Sequence, residues 1–262
     1  KNATVKNPTP FMSHISYNPI LAFAIYLVLH EIFFNKKLTN LVFSFYSFFA
    51  ISMTINMFIT GGRAGQVAFF VMLSILIFQI FDKQRIKSFL VILIMIPSIL
   101  ITAYQFSDLF KTRFDLAITE TLSYSDGNYT SVGLRINFAK NSFEVIKKNP
   151  IIGIGTGDFV SEYKKINQIN TPNLPNTTNP HNMYTLITMQ LGLIGLVSML
   201  SIFYYQIKLS FYASNRFIKD LGIALPLMFL VIMWSDSYIL GHYTTLVFVF
   251  FSSFLYKDFE KS

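Results

Sequence analysis

The sequence contains no cysteine. Disulfide scaffolds, thiolate metal sites and cysteine nucleophiles are thereby excluded. Charge is scarce too: Asp, Glu, Lys and Arg supply 13% of the 262 residues, against about a quarter in an ordinary soluble domain. The four histidines fall at unrelated positions with no His-Glu helix pair, so no metal constellation emerges. What remains is apolar. Hydrophobic residues make up 53% of the chain, with 29 Phe. They gather in blocks of about 17 to 24, long enough to cross a bilayer, instead of alternating with polar residues. A net charge of +8 would suggest nucleic acid in a soluble protein, but in a membrane protein it must first be tested against the rule for basic loops. The chain opens on Lys1 with no initiator Met, charged n-region or h-region. The expectation is a fragment of a longer membrane protein, without a signal peptide.

Apolar runs near 17–34, 40–59, 65–81, 88–106, 184–207, 221–239 and 240–256 give an all-α polytopic membrane protein with about seven transmembrane helices. Three regions follow: a four-helix membrane segment at 1–106, a loop domain at 107–183 and a three-helix segment at 184–262. Lys36, Lys37, Lys83, Arg85, Lys87, Lys208, Arg216, Lys219, Lys257 and Lys261 fall on alternate short turns. That side is read as cytoplasmic. The opposite turns, 60–64 and 239–242, hold only Arg63, so the large loop is extracytoplasmic. Its basic and acidic residues nearly balance, which removes nucleic acid as a partner.

Proline marks the edges: Pro19 is expected in the first turn of the first span, and Pro97 and Pro226 inside spans, where they kink helices. Within the loop, Ile136, Ala139, Phe143 and Ile146 recur at helical spacing, with Arg135, Lys140, Lys147 and Lys148 off the stripe. This reads as an amphipathic helix ending at Asn149-Pro150. Gly153, Gly155 and Gly157 then predict a flexible turn. From Asn167 to Asn182 the richness in Asn, Thr and Pro favours irregular backbone.

Candidates for chemistry collect on the outer side: Arg63, Arg113, Arg135 and His181, where a phosphate-bearing lipid would meet them. Arg63 reads either as an anion ligand or as a snorkelling anchor. Gly61, Gly62 and Gly65 around it favour the ligand, since glycine permits close approach to an anion, although no Walker loop is present. Arg135 taken alone reads first as an interfacial cation and then as an anion ligand, and Arg113 as a solvated loop charge. His181, in Thr178-Asn179-Pro180-His181-Asn182, stands where an extended loop meets a helix entrance. Its residue type suits proton abstraction, with a structural role as the alternative. His242 with Asp236 forms a secondary pair. The glycines at 153, 155 and 157 have the wrong spacing for a dinucleotide loop.

Three blocks together resemble the O-antigen ligase and O-antigen polymerase superfamily of bacterial inner-membrane proteins. They are Thr60-Gly61-Gly62-Arg63-Ala64-Gly65, then Gly133-Leu134-Arg135 opening a helix that ends Asn149-Pro150-Ile151-Ile152-Gly153-Ile154-Gly155, then Asn179-Pro180-His181-Asn182 with Gly192 eleven positions after the histidine. The match runs from about 60 to 200, with Ala139 where the family often has Leu and with the usual further N-terminal spans missing. The resemblance implies a metal-independent glycosyl transfer, without cofactor, at the periplasmic face of the inner membrane. The donor is a glycan on undecaprenyl diphosphate, and the acceptor is the lipid A core (ligase) or a second carrier-linked glycan (polymerase). By the same resemblance Arg63 and Arg135 hold the donor diphosphate and His181 activates the acceptor hydroxyl. Arginine is the residue type that binds phosphate oxygens in pairs, which agrees. One arginine set, and lysines on an amphipathic helix facing an acidic core, favour ligase. A lipid-linked glycan transporter is the alternative from another class, though its ionisable groups belong near mid-membrane.

Overall fold

The computed structural model describes residues 9, 11–60, 62–124 and 129–256. Gly61, Lys257 and Lys261 lie outside them. The described chain is all helix and irregular backbone, with no strand. It divides into two compact units, 1–114 and 115–262.

The first unit contains α1 (His14–Phe34), α2 (Asn40–Thr60), α3 (Arg63–Ile80), α4 (Arg85–Phe106) and the start of α5 (Asp108–Leu122). α1 packs along α3 and α2, and α4 leans on α3. The core is made by Ala22, Phe23, Ile25 and Tyr26 meeting Met57, Phe69 and Met72. Tyr26 donates its hydroxyl to Gln79 Oε1 at 2.8 Å, which allows a phenol into that apolar seam. By contrast α4 buries only Ser88, and Leu93, Ile94 and Ile101 stay exposed. An apolar helix with an open apolar face suits lipid, not water. Pro97 falls inside α4 as expected. Pro19 differs: α1 starts earlier, capped by Ser13, so the proline sits a turn inside the helix.

The second unit contains the rest of α5, then α6 (Ser131–Lys148), α7 (Phe159–Asn170), α8 (Met183–Ser210), α9 (Arg216–Ile232) and α10 (His242–Leu255). The large loop is therefore helical over much of its length, with α5 and α7 beyond the one helix expected. The reason lies in shared burial. Phe138 and Val145 of α6, Phe159 and Tyr163 of α7, and Leu186 and Met189 of α8 form one core. α7 is too short and polar to stand alone in water, and this packing holds it. The buried face of α6 runs through Gly133, Asn137, Phe138, Asn141, Ser142 and Val145. The expected stripe lies beside it: Phe143 is 56% exposed, and α6 packs between α7 and α8 in place of lying on a surface.

Five helices, α1 to α4 and α8, are long and apolar enough to cross a membrane. The last two expected spans are shorter. α9 has 17 residues and α10 has 14, reaching about 26 and 21 Å at 1.5 Å per residue against a hydrocarbon core of about 30 Å. Residues 233–241, expected to be the meeting point of two spans, instead leave the helix.

Candidate active site

Residues 171–182 are irregular because Pro172, Pro175 and Pro180 remove amide donors and restrict the residues before them. Side chains replace the lost backbone pairing. Buried Asn141 on α6 donates to Thr171 Oγ1 at 2.8 Å and to Asn167 Oδ1 at 3.2 Å. Asn167 Nδ2 in turn donates to the Leu174 carbonyl at 3.0 Å and to Asn176 Oδ1 at 3.1 Å. The Tyr163 phenol joins this network, and burial pushes its pKa above the ordinary value. Such a satisfied interior network fixes a loop as firmly as a ladder would.

The Asn179-Pro180-His181-Asn182 block then turns into α8, each residue with its own task. Asn179 Oδ1 accepts from the His181 amide at 2.9 Å, closing an Asx turn. His181 is left at φ 54, the one positive φ outside glycine among the described residues, in a region that histidine tolerates better than most side chains. Asn182 caps α8 by accepting from the Thr185 amide at 3.0 Å, and its Nδ2 donates to the Trp234 carbonyl at 3.2 Å.

The His181 ring lies against Phe138, centroids 6.1 Å apart and planes inclined by 24°. Its Nδ1 stands 3.3 Å from Asp236 Oδ2. That approach is charge against ring nitrogen, too poorly aligned to count as a full hydrogen bond. Asp236 is held by two further contacts: Asn179 Nδ2 donates to Oδ1 at 3.1 Å and the Ser237 backbone amide at 2.7 Å, and Ser237 Oγ in turn steadies Asn179 by donating to its Oδ1 at 2.8 Å. Burial works against the Asp236 carboxylate, but His181, Ser237 and Asn179 together outweigh it and hold its pKa below the usual value. Nδ1 toward a carboxylate favours the Nδ1–H tautomer, which leaves Nε2 as the basic nitrogen. The expected pairing of Asp236 with His242 is thus corrected: the carboxylate faces His181. His242 opens α10, its ring edge-on to Tyr243.

Arg135 lies one turn before Phe138 on α6. Its side chain is exposed and donates from Nη1 to Ser131 Oγ at 3.3 Å. Burial raises the pKa of Tyr238, two residues after Asp236, where the Asp236 charge adds and the Arg135 charge opposes. Arg135, Phe138, His181, Asp236 and Tyr238 therefore form one neighbourhood. Lys140 lies over the Tyr124 ring, and Lys147 pairs with Glu144 at 2.8 Å.

Gly153 and Gly192, expected in a flexible turn and a plain span, meet back to back. α8 breaks at Gly192 (φ 65, ψ −164). The carbonyls of Met189 and Gln190 accept from the amides of Ile154 and Gly155, and the amides of Leu193 and Ile194 donate to the carbonyls of Pro150 and Ile151, all at 2.9–3.3 Å. Segment 150–155 is thus a clasp that satisfies the broken helix. A Cβ at Gly192 would stand 2.1 Å from the Ile151 oxygen, and one at Gly153 2.4 Å from the Gln190 carbonyl. No other residue type fits either place.

In the first unit Arg63 is the first residue of α3, half-buried, behind the N-cap Gly62. The room that Gly62 and Gly65 make was expected to admit an anion. It is filled by α1: a Cβ at Gly62 would lie 2.3 Å from Asn18 Nδ2, and one at Gly65 2.1 Å from Asn18 Cβ. Arg113 stands close enough to His14 for its charge to act on that ring.

Sequence reasoning placed Asp236 with the wrong histidine, named Asn179 only as part of the motif around His181, and passed over Asn18, Phe138 and Tyr238. One signal was there: Asp236 is the only acidic residue from 221 to 256. No curated protein shows significant similarity to the chain. The family model described as O-antigen ligase matches residues 48–200, which span the Arg63 turn, the Arg135 helix, the clasp, the histidine loop and the break in α8. This multi-pass membrane chain belongs to the O-antigen ligase family, whose role lies in polysaccharide biosynthesis.

Proposed function

We propose that the chain transfers a glycan from undecaprenyl diphosphate to the lipid A core at the periplasmic face of the bacterial inner membrane. The observation that carries this reading is the His181–Asp236 pair with Arg135 beside it. His181 Nε2 takes the proton of the acceptor hydroxyl as that oxygen attacks the anomeric carbon. The bond from that carbon to the diphosphate oxygen breaks, and the diphosphate leaves with the electron pair. Arg135 takes up its charge in bidentate fashion, and Arg63 is the second arginine proposed as a diphosphate ligand. Asp236 stabilises the imidazolium that forms, and the proton then passes to solvent. The chain's own side chains suffice for each of these steps. The side assignment rests on the lysines and arginines in and beside the short turns, Lys36, Lys37, Lys83, Arg85, Lys87, Lys208, Arg216 and Lys219, which are read as the cytoplasmic face and leave the large loop outside.

A transporter would use a discontinuous helix to hold its solute with freed backbone groups. In α8 the groups freed at Gly192 are committed to the clasp, which favours an enzyme. For a polymerase, Arg113 would have to belong to a second diphosphate site. It neighbours His14, whose carbonyl borders Gly62, so it joins the Arg63 turn. The test supplies purified full-length protein in lipid nanodiscs with carrier-linked glycan, alone or together with lipid A core. Product only on the core is expected; longer carrier-linked chains formed without core would overturn the ligase reading.

A further inference from the structure

The first unit holds a buried amide that its own hydrogen bonding does not explain. Asn18, on α1, is 0% exposed. The Thr60 hydroxyl donates to its Oδ1 at 2.8 Å, but its Nδ2 is buried without a partner. An apolar side chain would fill the place without leaving a donor unmet, so stability alone does not select asparagine here. What Asn18 touches is the turn between α2 and α3. Thr60 ends α2, and its hydroxyl also lies 2.9 Å from the Asn56 carbonyl, which ties the amide to the last turn of that helix. Gly62 and Gly65, on either side of Arg63, each lie so close to Asn18 that a Cβ would collide with it. The N-cap of α3 is Gly62, which has no side chain to cap the first turn. The start of α3, and with it the backbone of Arg63, is therefore placed by what presses on that turn from α1.

We propose that Asn18 is a positioning residue for Arg63, gripping Thr60 on one side and the Gly62–Gly65 turn on the other, and that it thereby sets affinity for the donor diphosphate. This rests on the reading of Arg63 as a diphosphate ligand. The closest collision at Gly62 involves the end of the Asn18 side chain, so shortening that side chain eases it and leaves the His14 carbonyl at 3.0 Å, whereas at Gly65 the Asn18 backbone is itself in the way.

The test uses the full chain in nanodiscs, measuring kcat and donor KM together with thermal protection by farnesyl diphosphate as the binding probe. Asn18→Ala is expected to raise donor KM about 10-fold and weaken protection equally, with kcat within about twofold, because a misplaced binding group loses affinity before it loses chemistry. Thr60→Val should follow it, while Thr60→Ser restores donor KM by keeping the hydroxyl. Gly62→Ala should also raise donor KM, and Asn18→Ala added to it should raise it no further, since the two share one contact. If Arg63→Lys raises donor KM while Asn18→Ala and Thr60→Val leave it unchanged, the inference is overturned and the diphosphate reading stands. If Arg63→Lys also leaves it unchanged, both fall. A loss of thermal stability with no split between KM and kcat makes Asn18 a packing residue and overturns the proposal. Should Asn18→Ala not fold, Thr60→Val decides by the same criteria.

Discussion

Around Arg63 the chain stays helical on both sides and steric fit does the holding: two glycines let α1 press against α3, and Asn18 and Thr60 add one polar contact. Around His181 the helix is abandoned from 171 to 182, and the hold comes from amide and hydroxyl side chains bonded to one another and to the segment after α9. The difference matches the roles proposed for the two residues. A ligand for a charged group needs direction and reach, which a helix terminus supplies. A base needs one ring nitrogen turned to a carboxylate and the other turned out, and regular backbone does not offer that geometry.

The sharpest break between the two designs lies in their glycines. Gly192→Ala would drive a Cβ into the Ile151 backbone at positive φ, so it is expected to abolish the folded second unit, read as loss of monodisperse protein and of its thermal transition. Gly62→Ala meets mainly a movable side chain and should keep the protein folded. Next in size, His181→Ala should lower turnover by about 100- to 10,000-fold with carrier binding retained. Near-normal turnover would make His181 structural and pass the role to Asp158 or Glu162, the latter already paired with Lys165.

Arg63→Lys and Arg135→Lys keep the charge but lose the bidentate fork, with an expected loss of about 10- to 150-fold in donor affinity. Equal losses would place both on one diphosphate. A loss at Arg135 alone would confine donor binding to the second unit. Asp236→Asn should lower turnover, because the imidazolium loses the carboxylate that faces it. It also carries a pH signature. Because the folded pKa of Asp236 lies below its ordinary 3.8, its contribution to stability is full above the ordinary value and fades as pH falls through the lowered one. The part of the stability gap between wild type and Asp236→Asn that comes from the carboxylate's own titration should thus be lost only below about pH 4.

Much of this was legible in the sequence wherever one residue type has one physical consequence. Long apolar runs gave α1 to α4 and α8, and the prolines gave the irregular stretch before His181. Periodicity misled at α6, because its buried face uses Asn137, Asn141 and Ser142. A polar residue satisfied by another polar residue looks like solvent exposure in a hydropathy pattern. The break in α8 was hidden for a related reason: Gly192 sits in an unbroken apolar run, and what breaks the helix is a segment about 40 residues upstream. Asp236 stood out by its isolation, but its partner was a matter of tertiary contact. Asn18 gave no signal, since a single Asn near a span end is unremarkable until the glycines it faces are known.

The clasp also bears on the order in which the protein is made. Segment 150–155 leaves the ribosome about 40 residues before the break it closes, a lead of a few seconds at 5–20 residues per second. When residues 189–194 emerge, their backbone partners already exist, so α8 can enter the membrane as a broken helix without first paying for unpaired amides in lipid. Moving the clasp to the C-terminal side by circular permutation would reverse that order. Newly made α8 would then have to insert as an uninterrupted helix and be bent afterwards, which turns a packing detail into a constraint on how the gene can be rearranged.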